Sequence, residues 1–278
     1  MSGEVAYCGL DVGITTTDAV AGWNAPAAVS LPTRELPETA ETAIRLLLER
    51  AGAPPGAEVV IGATGVGSRR LPSTLCGFAV RRVSEITAIG RGGIGLAGGH
   101  EGLVASLGTG TALVSVRGAE MRHVTPGNGV GGGTLLGLGR ALLGLDDIGE
   151  LSRLAERGDR TRLDITIGEV VGGPLGVLPA DGTASNFAKY TAAARREDVA
   201  AALLNLIAEV VLWTVLLGLQ ASGHARAILT GKVLLVGPVR RRIDQVGAEL
   251  GGLLVVAPRA EVASALGALW AIAEGLCE

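Results

Sequence analysis

Short apolar runs that end in glycine and threonine set the rhythm of this chain. Residues 7–11 lead into the turn Gly9-Leu10-Asp11-Val12-Gly13-Ile14-Thr15-Thr16-Thr17. A brief apolar run bounded by turn residues predicts a buried strand. Residues 17–23 read as a returning strand. Residues 59–62 read as a buried strand that enters Gly62-Ala63-Thr64-Gly65, and 80–83 as another. Residues 103–107 and 112–116 flank Gly108-Thr109-Gly110-Thr111 as a hairpin, and later strands are expected at 228–229 and 253–256.

Between these runs the spacing turns helical. Residues 38–51 place Ala43, Ile44, Leu46, Leu47 and Leu48 on helical positions, and Pro54-Pro55-Gly56 stops them. Helices are also expected over 85–98, 135–145, 147–157 and 260–274, with Gly158-Asp159 ending the third of these. Residues 200–221 are almost wholly apolar, broken by Asn205, Glu209 and Gln220. No basic cluster flanks that run, and acids inside a membrane are costly. It reads as a helix buried in a core or subunit contact, with no membrane partner. Alternating strands and helices predict an α/β fold. No low-complexity linker separates the halves, so they are expected to pack closely around a cleft.

Composition narrows the picture. The 278 residues suffice for one large core or two ordinary domains. A net charge of −3 argues against a nucleic-acid partner. The only lysines are Lys189 and Lys232, so nearly all positive charge is arginine. Arg240-Arg241-Arg242 reads as a solvated helix face. The three cysteines, Cys8, Cys76 and Cys277, are scattered, with neither metal-ligand spacing nor a disulfide framework. No basic-then-apolar leader is visible, and a cytoplasmic setting is expected.

The two glycine-threonine turns carry the candidate chemistry. Glycine lets the backbone approach a bulky anion, and successive N–H groups form a concavity that binds one. Two such turns on separate strands predict a phosphate gripped from two sides. Asp11 adds a carboxylate suited to a divalent metal beside that phosphate; capping of its own turn is the plainer reading. Glu85 sits where a strand passes into a helix. It is a credible general base toward a hydroxyl, or simply a first-turn acid favoured by the helix dipole. Arg122 and His123 precede a glycine-rich segment, where an arginine could clamp a carboxylate or mark a solvated hairpin end. Gly131-Gly132-Gly133 could offer helix N-terminal amides to an anion or form a tight turn.

Taken in order, Asp11-Val12-Gly13, Ser84-Glu85, the 106–111 segment Ser-Leu-Gly-Thr-Gly-Thr and Gly131-Gly132-Gly133-Thr134-Leu135-Leu136-Gly137-Leu138 resemble the type II (eukaryotic-like) pantothenate kinases. So do the 154–164 stretch around Arg157-Gly158-Asp159-Arg160 and Thr183-Ala184-Ser185-Asn186-Phe187. The resemblance implies an actin/hexokinase/Hsp70-type (ribonuclease H-like) α/β fold with ATP in an interdomain cleft. The first lobe would span 1–100 and the second 101–278. It implies transfer of the ATP γ-phosphoryl group to the primary hydroxyl of pantothenate, giving 4′-phosphopantothenate on the way to coenzyme A. Glu85 matches the catalytic base. Gly13, Thr15, Gly108, Thr109 and Gly110 match the phosphate loops, and Asp11 the acid near magnesium. Gly132, Gly133 and Gly231 are assigned to the nucleotide, and Arg122 with Ser106 to the substrate. The interval after Arg122 is about one residue long for the pattern, which leaves His123 as its alternative. Regulation by coenzyme A or acyl-CoA and a homodimer through long helices are also implied.

Two positions depart from the family's first loop, Asp-x-Gly-Gly-Thr-x-x-Lys. Ile14 replaces the second glycine and Asp18 the lysine. A carboxylate at 18 that points inward would repel phosphate. Two alternatives stay open: a kinase of the same fold with another hydroxylated acceptor, and a nucleotide- or acyl-CoA-binding paralogue with weak or no catalysis.

Overall fold

The computed structural model describes residues 5–22, 27–52, 58–176 and 179–277. The turn at 54–56 and residue Trp23 lie outside them. Two sheets carry the architecture. The first has the order β3-β2-β1-β4-β6-β5, built from β1 (Ala6–Val12), β2 (Thr16–Ala21), β3 (Ala27–Pro32), β4 (Val59–Thr64), β5 (Thr74–Leu75) and β6 (Phe78–Arg82). The second has the order β9-β8-β7-β12-β13. Its strands are β7 (Glu101–Leu107), β8 (Thr111–Arg117), β9 (Glu120–Asn128), β12 (Ala227–Thr230) and β13 (Leu254–Val256). A small pair, β10 (Ile165–Thr166) and β11 (Thr183–Ser185), stands apart.

The sheets repeat one plan. Each opens with a three-stranded antiparallel meander, β1-β2-β3 or β7-β8-β9. Each then adds parallel strands beside the first strand, β4 and β6 or β12 and β13. The glycine-threonine turns are the first hairpin of each meander. The repeat extends further: β4 ends in Thr64-Gly65 and β12 in Thr230-Gly231, with φ of 83° and 100° at the glycines. Only glycine adopts such backbone without strain, and each pair leads into a short 3-10 turn.

Parallel strands need crossovers, and the helices supply them. They are α1 (Glu38–Ala51), α2 (Glu85–Ala97), α3 (Gly132–Leu143), α4 (Ile148–Ala155), α5 (Ile167–Val171), α6 (Arg196–Ser222), α7 (Gly237–Glu249) and α8 (Ala263–Ala273). Helix α1 carries Glu38 and Glu41 in its first turn and Arg50 in its last, matching the macrodipole, and ends at left-handed Gly52. Its Ile44 and Leu47 join Leu10 and Ile61 in one core. Truncating any of these to alanine is expected to cost about 2–5 kcal/mol.

Helices α2 and α8 meet without side chains between them. A Cβ on Gly92 would fall 2.0 Å from the Ala263 carbonyl oxygen, and one on Gly267 1.9 Å from that of Ala88. Helix α8 also lies on the first sheet, where a Cβ on Gly9 would reach within 1.8 Å of the Ala265 carbonyl oxygen. The last helix, which a division at residue 100 assigns to the second lobe, packs on the first sheet. Helix α2 presses Gly93 onto Val104 and Gly90 onto Met121 of the second.

Helix α6 is the 200–221 apolar segment, extended at its start. It is long and apolar enough to cross a membrane by length and composition, yet 61% of that window is buried within the fold. Two of its polar interruptions, Asn205 and Glu209, are structural. Asn205 Nδ2 donates to Asp164 Oδ2 at 3.2 Å and to Thr183 Oγ1 at 3.1 Å. Glu209 accepts from Thr183 Oγ1 at 2.7 Å and from Asn186 Nδ2 at 3.1 Å. Phe187 N–H donates to Asp164 Oδ1 at 2.9 Å. The 154–164 and 183–187 motifs thus form one buried polar knot on α6, satisfied as burial demands. Arg242 of α7 reaches Glu209 at 3.7 Å and is 17% exposed, so the arginine run is only partly solvated.

No strand is read from the sequence over 120–128, yet the backbone runs there as β9, with register shifts against β8. A bulge admits Pro126 and Gly127 at a sheet edge.

Candidate active site between the two sheets

A cavity of about 860 Å³ opens between the sheets, lined by both hairpin loops. Each loop is held in shape by its own lobe. In the first, Gly13 N–H donates to Thr16 O at 2.9 Å, and Thr33 donates through Oγ1 to Gly13 O and through its amide to Thr15 O. In the second, Gly108 N–H donates to Gly110 O at 2.9 Å. The loops meet at their tips, where Thr15 Oγ1 and Thr109 Oγ1 are hydrogen-bonded at 3.2 Å. The amides of Ile14, Thr15, Thr109 and Gly110 lie at the cavity and donate to no protein group among the described residues. Four unpaired amides on two facing loops suit a polyphosphate.

Gly132 and Gly133 act differently from expectation. Their amides donate to Gly108 O at 2.8 Å and Thr109 O at 2.9 Å. They brace the second loop rather than offer themselves to an anion. Gly132 still lines the cavity, as do Ser106 and Gly231. At Gly231 a Cβ would sit 2.4 Å from the Leu107 carbonyl oxygen.

Two acids of the cavity lie on the first sheet. Asp11 of β1 pairs across the strands with Asp18 of β2, so both project from one face. Burial, then the charges of Asp18 and Glu85, push the Asp11 carboxyl up to about 7. Gly65 cradles it: a Cβ there would come within 2.4 Å of Asp11 Oδ1. Beside Asp11 in the parallel register stands Thr64, 1% exposed, whose Oγ1 has no partner among the described residues. A carboxylate beside an orphaned hydroxyl gives an all-oxygen pair that fits a hydrated magnesium ion. Such ions take one or two carboxylates and fill their shell with water and substrate phosphate. No group of three or more metal-ligating side chains occurs among the described residues.

Glu85 is the first residue of α2, fixed by Ser84, whose hydroxyl accepts from Thr87 N–H at 3.1 Å. It lines the cavity, is exposed, and makes no hydrogen bond or ion pair among the described residues. Nothing in the fold competes for its oxygens.

Arg122 is not in the cavity lining. It pairs in register with Ser115, whose Oγ is bonded to His224 Nε2 at 2.8 Å, while its neighbour Met121 packs beneath Gly90 of α2. Side chains alternate along a strand. Arg122 therefore faces away from α2, 64% exposed and 3.8 Å from Glu120. His123 takes the face that α2 covers, whose first residue is Glu85. Glu120 to His123 pair one to one with Arg117 to Val114, and the register shifts only beyond His123.

Asp18 is not the bare carboxylate its position implied. Lys232 Nζ donates to Asp18 Oδ1 at 2.7 Å and to Ser30 Oγ at 2.7 Å. Lys232 was missed in the sequence. Its one signal was rarity, as one of two lysines in an arginine-rich chain.

Residues 102–238 match the family model described as Fumble. Over 110 residues the chain is 36% identical to pantothenate kinase 1 of Oryza sativa subsp. japonica, covering 37% of this chain and 16% of that protein. Over 112 residues it is 35% identical to the type II pantothenate kinase of Bacillus cereus (strain G9842), covering 39% of this chain and 41% of that protein. The match spans less than half the length of either relative. Among solved structures, the chain is similar to the activator of the 2-hydroxyisocaproyl-CoA dehydratase from Clostridium difficile with bound ADPNP. The TM-score is 0.66 at 18% identity, over 97% of this chain and 95% of that one. It is also similar to ROK hexokinase from Thermus thermophilus, with a TM-score of 0.55 at 18% identity over 95% and 97%. These likenesses establish the two-lobed actin/hexokinase-type fold. Within that fold, residues 102–238 are similar to the type II pantothenate kinases.

Proposed function

We propose that this chain transfers the γ-phosphoryl group of ATP to the primary hydroxyl of pantothenate, giving 4′-phosphopantothenate. One observation carries the reading: the two loops close on each other at Thr15 and Thr109, presenting free amides beside an unpartnered Glu85. ATP lies with its phosphates across Gly13, Thr15, Gly108, Thr109 and Gly110. Adenine nucleotide in the structurally similar dehydratase activator supports that placement. Asp11 and Thr64 would hold magnesium, which neutralises phosphate charge when bound. Glu85 accepts the hydroxyl proton as the oxygen attacks in line. Positioning and fixed dipoles supply most of the rate.

The test is ADP release by purified protein with ATP, magnesium and pantothenate, beside a Glu85→Gln control. Pantothenate-dependent turnover that the control loses supports the kinase. ATP binding without such turnover rejects pantothenate as acceptor. The outward face of Arg122 favours a second reading, another hydroxylated acceptor that lacks a carboxylate at that point. A panel of hydroxylated acceptors in the same assay separates the two.

The family relation also supports a cytoplasmic homodimer sensitive to coenzyme A thioesters. On α6, Trp213 and Leu217 lie one turn apart and are 58% and 61% exposed, an apolar pair suited to self-contact. Sedimentation of wild type against Trp213→Asp tests the dimer.

A further inference from the structure

The cavity is strongly acidic. Among the described residues lining it, Lys232 is the sole lysine, arginine or histidine, against six carboxylates. A polyanion entering such a cavity meets repulsion unless a cation is placed for it. Lys232 is so placed. Asp11, Asp18 and Ser30 form one cross-strand row on β1, β2 and β3, and Lys232 Nζ bridges the last two at 2.7 Å each. The ammonium thus stands one strand from Asp11, on the same face. The lysine arrives from the other sheet, 214 residues away in sequence, directly after Gly231. Asp18 is 5% exposed, and a buried carboxylate of that kind requires a partner.

We infer that Lys232 is the nucleotide-phosphate contact of this cleft, supplied by the second lobe and positioned by Asp18. The first loop has a carboxylate where the pattern it resembles has a lysine, and in the structure that carboxylate is paired with a lysine from across the cleft. An ammonium on a four-carbon stem is a mobile point charge able to pivot from a carboxylate to a phosphate. Asp18 is a positioning residue: it holds the ammonium while the cleft is empty. The inference rests on the kinase reading.

Binding of ADPNP with magnesium to the full chain, measured by calorimetry, tests it. Lys232→Met is expected to weaken binding at least about tenfold, as loss of a charge-assisted contact should. That variant also strands Asp18, so a double variant, Asp18→Asn with Lys232→Met, removes the pair together. The double variant is expected to regain wild-type melting temperature yet stay weak toward ADPNP. Exchanging the charges, Asp18→Lys with Lys232→Asp, is expected to recover most of the affinity. Lys232→Met binding ADPNP like the wild type overturns the inference, as does full recovery of affinity in the double variant. Wild type that binds no ADPNP overturns the kinase reading and this inference with it, and is told apart because the unaltered protein fails.

Discussion

The two halves of this molecule share one plan and use it differently. Each places a glycine-threonine hairpin loop at the cleft, and each ends its neighbouring parallel strand in Thr-Gly. In the first half the plan carries acid. Asp11 and Asp18 flank its loop, and Thr64 leaves its hydroxyl free for a ligand. In the second half the same threonine, Thr230, donates to Ala105 O at 3.4 Å. The residue after the glycine is Val66 in one half and Lys232 in the other. The second loop has no acid of its own and is strapped from behind by the amides of Gly132 and Gly133. A repeated scaffold thus divides the labour: one side sets carboxylates beside its hairpin loop, the other supplies the brace and the cation. The Fumble match covers 102–238, which falls wholly in the bracing half.

The largest expected effect strikes the acidic half. Glu85→Gln should lower kcat by about 10²–10⁴-fold while ATP still binds, since it removes only the proton acceptor. Steady-state kinetics with calorimetric nucleotide binding check this. If binding falls equally, Glu85 holds the nucleotide and the division of labour is wrong.

Next comes the brace. Gly231→Ala forces a Cβ against the Leu107 carbonyl at a φ of 100°. A loss of about 2–4 kcal/mol in chemical unfolding is expected. Gly65→Ala in the first half should cost somewhat less stability, because its nearest clash is a side-chain oxygen, Asp11 Oδ1 at 2.4 Å, ahead of the Val12 carbonyl oxygen at 2.6 Å, whereas the three nearest atoms at Gly231 are all backbone. Equal losses would mean that both halves are braced alike.

Asp11 gives a smaller effect with a defined sign. Its carboxyl is raised from 3.8 to about 7. The folded state therefore keeps a proton that the unfolded chain releases near pH 4. The stability this confers is complete below the unfolded value and fades as pH rises through about 7. Asp11→Asn should thus be more stable than wild type by about 1–2 kcal/mol at pH 8, after discounting for solvent screening, and no more stable at pH 4. Wild-type kcat/KM should fall below about pH 7 in turn, as protonation removes the metal-binding charge. Melting curves and pH–rate profiles measure both.

Smallest is the contact between the halves. Thr15→Val removes one exposed hydrogen bond and should raise KM for ATP by about three- to tenfold, with kcat little changed.

Much of this was legible in the sequence wherever the physics is local. Apolar runs bounded by glycine located most strands of both sheets, and helical spacing located α1, α2 and α8. Asp11 and Glu85, both in the cavity lining, stood out because each sits at a strand end beside a turn. What escaped depends on distant partners. Lys232 gains its meaning from Asp18 across the cleft, and no local pattern records that. Arg122 and His123 were inseparable because the packing of α2 on Met121, through Gly90, decides which of them lies on its side. Strand β9 itself was hidden by proline and glycine, which mark turns unless an edge position tolerates them. The amides of Gly132 and Gly133 looked free because the carbonyls they serve lie in another loop.

The return of α8 to the first sheet has a consequence for how the molecule is made. Gly9 and Gly62 shape β1 and β4 to receive the backbone of residues 263–273. Until that helix has left the ribosome, one apolar side of the first sheet lacks its cover. The half that is synthesised first therefore completes its packing only once residues 263–273 have been made.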